Sequence, residues 1–138
     1  MKAMILAAGK GTRARPLTTI LPKPMIPLIR KPIMESIIEH LKKYSFNQLM
    51  VNTSYLSGDI ESYFRDGHAW GVEIGYSYEG LMEGNSFVDT VLGSAGGMKH
   101  IQNFSGFFDD TFVVVCGDAL IDVNFDDVLA FHRARKSV

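Results

Sequence analysis

The stretch Lys2-Ala3-Met4-Ile5-Leu6-Ala7-Ala8-Gly9-Lys10-Gly11-Thr12-Arg13-Ala14 is an apolar run that passes directly into a glycine loop. Lys2–Ala8, continuously apolar from Ala3 on, reads as a buried strand, which Gly9 ends. Gly9–Ala14 also fits the G-x-G-x-x-A dinucleotide fingerprint, but its surroundings do not. That fingerprint opens a helix, and Pro16, Pro22, Pro24 and Pro27 forbid one here. The acidic residue that should follow the second strand is missing, because Val51-Asn52-Thr53 stands there. The Walker pattern G-x-x-x-x-G-K-[ST] does not occur either. What remains is a nest of glycine amides suited to an anion, followed by a stiffened basic segment.

The charge distribution supports that use. The formal net charge of −1 divides into seven bases and no acids over residues 1–34, and seven bases with all fifteen acids over residues 35–138. All five prolines (16, 22, 24, 27 and 32) fall in the basic segment. Arg13 can grip phosphate oxygens bidentately, and Lys23 offers a compact point charge. Pro22 and Pro24 flank Lys23, so little backbone freedom is lost in holding it in place. In isolation, ordinary surface charges would be the better reading of both; the acid-free, proline-framed stretch and the agreeing motif positions reverse that.

Other classes are excluded or disfavoured. At 138 residues the chain suits one domain with a real core, and 46% hydrophobic residues make it globular. No apolar run approaches a membrane span, and the start is too short for a secretory leader. The single cysteine, Cys116, suits a reducing cytoplasm and reads as a core residue. The four histidines are too far apart to suggest a zinc site. Neither a nucleic acid nor a membrane is an expected partner.

Along the chain, short apolar runs alternate with helical periodicity. Pro32 suits a first helical turn, with Ile33, Met34, Ile37, Ile38 and Leu41 on one face and a Glu39–Lys43 pair on the other. Leu49–Asn52 reads as a second strand, and Gly58–Phe64 as a short helix with Ile60, Tyr63 and Phe64 inward. Val72, Ile74, Tyr76 and Tyr78 alternate as a third strand. Ser94 can cap a helix reaching about Asn103 and packed through Met98 and Ile101. Phe112–Cys116 reads as a fourth strand, and Asn124 as the cap of a last helix. The order β-α-β-α-β-α-β-α predicts a Rossmann-like, three-layer α/β/α fold with a mostly parallel sheet. Gly80–Val91 interrupts it as a hairpin or loop. Ligands bind such sheets at the carboxyl ends of the strands. Gly9–Lys31, Glu79–Gly97 and Gly117–Asp122 should therefore converge on one crevice.

Leu6-Ala7-Ala8-Gly9-Lys10-Gly11-Thr12-Arg13, then Pro16-Leu17-Thr18 and Pro22-Lys23-Pro24-Met25, closely resemble the signature of sugar-1-phosphate nucleotidyltransferases, the nucleotide-sugar pyrophosphorylases. The likeness continues through Val51-Asn52, Tyr63-Phe64, Leu92-Gly93-Ser94-Ala95-Gly96 and Gly117-Asp118. It implies transfer of a nucleotidyl group from a nucleoside triphosphate to a sugar 1-phosphate, with Mg²⁺ as cofactor and pyrophosphate released. By that resemblance Arg13 and Lys23 are the catalytic cations and Asp118 the metal ligand, although Asp118 could merely cap a turn. Leu6, Ala7, Ala8, Gly9, Gly11 and Thr12 would lie under the nucleotide, with Gly93, Ser94, Ala95 and Gly96 closing over base and ribose.

Glu79 ends the third strand, about where the family's base-reading side chains lie. A carboxylate there could accept from guanine N1–H and its 2-amino group, whereas uracil offers one such donor. That tilts the expected reaction toward GTP and mannose 1-phosphate, and the detailed run of the chain looks closest to bacterial mannose-1-phosphate guanylyltransferase-like proteins. A surface glutamate is the other reading of Glu79. Glucose 1-phosphate with UTP, dTTP or ATP is the alternative substrate pair.

Asp122 makes a poor second metal ligand, since four extended residues would carry it roughly 13 Å from Asp118. Asp109 and Asp110 read as solvated turn residues, and Arg133, Arg135 and Lys136 as a helix C-terminal cluster. The family pattern continues beyond the fourth strand and its helix, so 1–138 is expected to be the N-terminal, nucleotide-binding part of a catalytic domain. A nucleotide-binding module without turnover is the competing reading. An apolar fourth strand left at the sheet edge would favour homo-oligomers.

Overall fold

The computed structural model describes residues 1–83, 86–89 and 92–135. In chain order its elements are β1 (Lys2–Leu6), β2 (Pro27–Leu28), β3 (Lys31–Pro32), α1 (Ile33–Lys43), β4 (Gln48–Thr53), α2 (Ser57–Phe64), β5 (Glu73–Tyr78), β6 (Gly80–Glu83), β7 (Ser86–Asp89), α3 (Gly93–Ser105), β8 (Phe112–Cys116) and α4 (Phe125–Arg135). Short 3₁₀ turns occupy the proline-rich segment at Thr12–Ala14, Leu17–Thr19 and Lys23–Met25, consistent with prolines that block a longer helix.

The main sheet is parallel with strand order β5-β4-β1-β8. Ile5 of β1 lies opposite Val51 of β4 on one side and Val115 of β8 on the other. From β1 the chain builds outward through β4 and β5, then crosses back to place β8 on the other flank. The order therefore reverses between β1 and β8, and their carboxyl ends frame the crevice where such folds bind ligands.

Strand alternation divides the core into two layers. Ala3, Ile5, Leu49, Val51, Ile74 and Val115 pack on one face against Met34, Ile37, Ile38 and Leu41 of α1, Ile60 and Phe64 of α2, and Phe125 and Leu129 of α4. On the opposite face Met4 and Met50 meet Ile101 of α3, with Met98, Phe107 and Phe108 at the margin. These helices on both faces are the expected α/β/α layers. Among the described residues, no helix is long and apolar enough to cross a membrane.

Several local expectations change. Glu39 pairs with Lys31 rather than Lys43, whose ammonium instead lies over the Tyr44 ring. Tyr63 is not inward: it is half-exposed and its hydroxyl donates to Glu35 Oε2 at 2.7 Å. Ser94 does not cap α3, which starts from Leu92 without a side-chain cap of its own. Cys116 is not a core residue. Alternation sends Val115 into the larger core and turns Cys116 to the other face, where it is exposed. Asn124 does cap α4, its Oδ1 accepting from the amides of Asp126 and Asp127 at 3.1 and 3.4 Å. Within Gly80–Val91, β6 and β7 pair antiparallel, with Gly80 opposite Asp89, as a hairpin requires. The Gly84-Asn85 and Thr90-Val91 positions, like Lys136, lie outside the described residues.

Candidate functional site

A crevice of about 780 Å³ opens over the carboxyl ends of β1 and β8. Leu6, Ala7, Ala8, Gly9, Gly11, Thr12, Arg13, Lys23, Glu79, Gly93, Ser94 and Asp118 all border it. The three loop segments expected to converge therefore do so. Ala95 and Gly96 follow directly in the first turn of α3 and do not border it. Asn52 and Cys116 border it without having been singled out as ligand-site residues.

The glycine loop is shaped by one left-handed residue. Gly11 has φ 61°, and a Cβ there would stand 2.8 Å from Thr18 Cγ2. Thr18 is buried, and its hydroxyl donates to the Gly11 carbonyl at 2.7 Å. The loop is thus tied back to the second 3₁₀ turn, which leaves Arg13 exposed at the rim. Arg13 makes no ion pair among the described residues.

Lys23 and Asp118 approach from opposite ends of the chain. Pro24 and Met25 are buried and anchor the turn that carries Lys23. The Gly117 amide donates to the Leu6 carbonyl at 2.9 Å, carrying the β1–β8 pairing one residue beyond the strand. Gly117 has no side chain, and a Cβ there would already stand 3.4 Å from Pro24 Cγ. This close approach brings Lys23 Nζ into an ion pair with Asp118 Oδ2 inside the crevice. Asp122 is exposed and lies outside the crevice. Asp109 and Asp110 are exposed at the start of β8, with Asp109 paired to Lys2.

Glu79 borders the crevice just past the end of β5. It is 1% exposed, so it is not a surface residue. Its Oε1 accepts from Asn52 Nδ2 at 2.7 Å and its Oε2 from the Leu92 amide at 3.0 Å. Both oxygens are thus engaged within the protein, unlike the free carboxylate that the guanine argument assumed. Asn52 in turn accepts the Ala7 amide on Oδ1 at 2.9 Å. The signal in the sequence was Asn52 itself, an amide that follows the apolar run Leu49-Met50-Val51 within a buried strand.

Among the described residues, no three His, Cys, Asp or Glu side chains converge as a self-sufficient metal cage. Asp118 is the crevice carboxylate beside Lys23, whereas Glu79, which also borders the crevice, is held by Asn52 and the Leu92 amide. That donor set fits Mg²⁺, which keeps several waters and commonly takes one or two carboxylates together with substrate phosphates.

A basic, glycine-lined crevice at the switch point of a parallel sheet is the ligand position of a doubly wound α/β protein, and the comparisons make the class narrower. Residues 2–138 match the Nucleotidyl transferase family, and the chain belongs to it. It is 56% identical, over its whole length and 36% of the relative's, to UTP–glucose-1-phosphate uridylyltransferase of Synechocystis. It is 34% identical, over 98% of this chain and 34% of the relative's, to mannose-1-phosphate guanylyltransferase of Mycobacterium tuberculosis. The expected special likeness to guanylyltransferases is therefore weaker than the likeness to a uridylyltransferase. Among solved structures, a Bacillus anthracis protein described as a glucose-1-phosphate thymidylyltransferase superposes with a TM-score of 0.81 at 26% identity, covering 99% of this chain and 51% of that one. The chain spans about a third of the two curated relatives.

Proposed function

We propose that this chain carries the nucleotide site of a sugar-1-phosphate nucleotidyltransferase, acting on UTP and glucose 1-phosphate. The observation that carries the reading is the convergence of the Gly9–Arg13 loop, Lys23 and Asp118 on one crevice. The base and sugar follow the uridylyltransferase relative. Guanine loses its main support, because both Glu79 oxygens already hold protein donors.

In the reaction, a phosphate oxygen of the sugar 1-phosphate forms a bond to the α-phosphorus. The bond from that phosphorus to the bridging oxygen breaks, and pyrophosphate leaves with the electron pair. Both reactants are anions, so the protein's task is positioning and charge neutralisation. Arg13 holds the β- and γ-phosphates, and Lys23 neutralises the oxygens around the reacting phosphorus. The amides of the glycine loop cradle the triphosphate. Asp118 is the ligand for Mg²⁺, which when bound would offset phosphate charge and favour the departing pyrophosphate. The single thiol suits a cytoplasmic setting for this chemistry.

The test measures pyrophosphate release by the chain from a matrix of triphosphates and sugar 1-phosphates with Mg²⁺. Release is expected to be greatest with UTP and glucose 1-phosphate. A preference for GTP with mannose 1-phosphate would overturn the substrate assignment. Triphosphate binding without release in any combination would make the chain a binding module, and no binding at all would remove the site.

A further inference from the structure

We propose that Glu79 is a positioning residue that sets the nucleotide crevice, by clamping the start of α3 to the end of β1 through Asn52. The proposal rests on the nucleotide site described above and adds a residue whose role is indirect. Each polar atom of the clamp has a defined partner. The Leu92 amide donates to Glu79 Oε2, Asn52 Nδ2 donates to Glu79 Oε1, and the Ala7 amide donates to Asn52 Oδ1. The Glu79 backbone is held as well, its amide donating to the Thr53 carbonyl at 2.6 Å and its carbonyl accepting the Ser54 hydroxyl at 3.0 Å.

The two ends of this chain of bonds are the two walls of the crevice, Ala7 on one side and the Leu92–Ser94 turn on the other. The first amides of a helix lack intrahelical acceptors, and α3 has no cap from its own N-terminal residue. Glu79 supplies that acceptor from a different element, and a carboxylate is favoured at a helix N-terminus. Space for it is made by Gly97, where a Cβ would stand 2.3 Å from Glu79 Oε1. A buried network with every member satisfied holds one geometry, and loses it when a single donor faces another donor.

The pattern of donors and acceptors makes a specific test possible. In Glu79→Gln the side chain has one acceptor for two N–H donors, so one bond of the clamp is replaced by a donor–donor contact. Adding Asn52→Asp reverses the polarity. The introduced amide would then accept from Leu92 and donate to the introduced carboxylate, which would still accept from Ala7, at unchanged net charge. UTP binding is measured by titration calorimetry, together with amide hydrogen exchange across residues 92–98. Glu79→Gln is expected to weaken UTP by about tenfold or more and to speed exchange at Leu92. The double variant should recover to within about threefold of the parent.

A glutamate that read the base directly would behave oppositely, since a glutamine side chain offers uracil both a donor and an acceptor. Undiminished UTP binding by Glu79→Gln, or a folded double variant without recovery, would overturn the clamp. Should Glu79→Gln not fold, the parent protein decides: rapid exchange of the Leu92 amide in the free protein also overturns it. A parent that shows a protected Leu92 amide but binds no triphosphate would instead remove the nucleotide site, and with it any role for the clamp in ligand binding.

Discussion

Lys23 and Asp118 neutralise each other inside the crevice, each where a charged ligand would need it. Their side chains are 40% and 27% exposed, so the pair contributes only about 0–1 kcal/mol to folding. A triphosphate with its cation would exchange this bond for two others, Lys23 to phosphate and Asp118 to metal. Lys23→Ala should therefore leave the melting temperature nearly unchanged while lowering turnover by about 10²–10³. Asp118→Asn should raise the Mg²⁺ concentration needed for half-maximal rate. Calorimetric melting and pyrophosphate release check both, and a large loss of stability in Lys23→Ala would make the pair structural.

Arg13 differs from Lys23 in having no carboxylate partner among the described residues, so its charge is available to the leaving phosphates without exchange. Arg13→Ala is expected to lower turnover by about 10²–10³, with Arg13→Lys recovering only part because a point charge does not replace a planar fork. Single-turnover rates at saturating triphosphate check the loss; an unchanged rate would take Arg13 out of the reaction.

The glycines of the loop separate fold from function. Gly11 is left-handed and its missing Cβ would strike Thr18, whereas a Cβ on Gly9 would meet nothing within 4 Å. Gly11→Ala should destabilise the protein by about 1–2 kcal/mol or more from backbone conformation alone. Gly9→Ala should leave stability intact and weaken triphosphate binding, because its methyl group would enter the crevice. Denaturant melts and calorimetric binding on the two variants give the contrast; equal loss of stability in both would contradict the geometry.

Much of this was legible in the sequence, for identifiable reasons. β1 and β8 carry short continuous apolar runs, and α1 places Met34, Ile37, Ile38 and Leu41 on one helical face, so the hydrophobic pattern specifies them. The converging loops followed from the parallel topology, which puts every βα loop at one edge of the sheet. What was missed depends on contacts between elements distant in the chain. Glu79 is buried because α3 folds over it with a glycine at the contact, and strand-end position gives no hint of that. Cys116 ends an apolar run, yet on its face of the sheet the buried cluster is Met4 of β1, Met50 of β4 and Ile101 of α3, and β8 lies at the sheet edge beside it, with Val114 exposed as well. Lys31 takes Glu39 from Lys43 because such surface pairs differ by only a few tenths of a kcal/mol.

Cys116 is the chain's single thiol and borders the crevice, so it reports on occupancy. Modification by a small maleimide should be slowed severalfold by UTP with Mg²⁺ and left unchanged by free uridine, which lacks the phosphates that the proposed site would hold at the basic loop. Mass spectrometry of time points measures the rate. Equal rates with and without nucleotide would place the ligand away from the β8 end of the crevice.

At the opposite edge of the sheet, Lys2 Nζ bonds Asp109 Oδ1 at 2.6 Å, tying the start of β1 to the turn before β8. The hydrogen bond from Lys2 holds the Asp109 carboxyl below its usual range, with the lysine's charge adding to the effect. Because the folded-state value is depressed, the pair's contribution is fully present above the ordinary carboxylate value of 3.8 and fades as pH falls through the folded value. Asp109 is exposed, so the effect is small and screened by salt. Asp109→Asn should lower the melting temperature slightly at pH 7 in dilute buffer, and the difference from the parent should vanish at strongly acidic pH or in about 1 M salt. A difference that persists under both conditions would assign Asp109 a role in the turn itself rather than in pairing with Lys2.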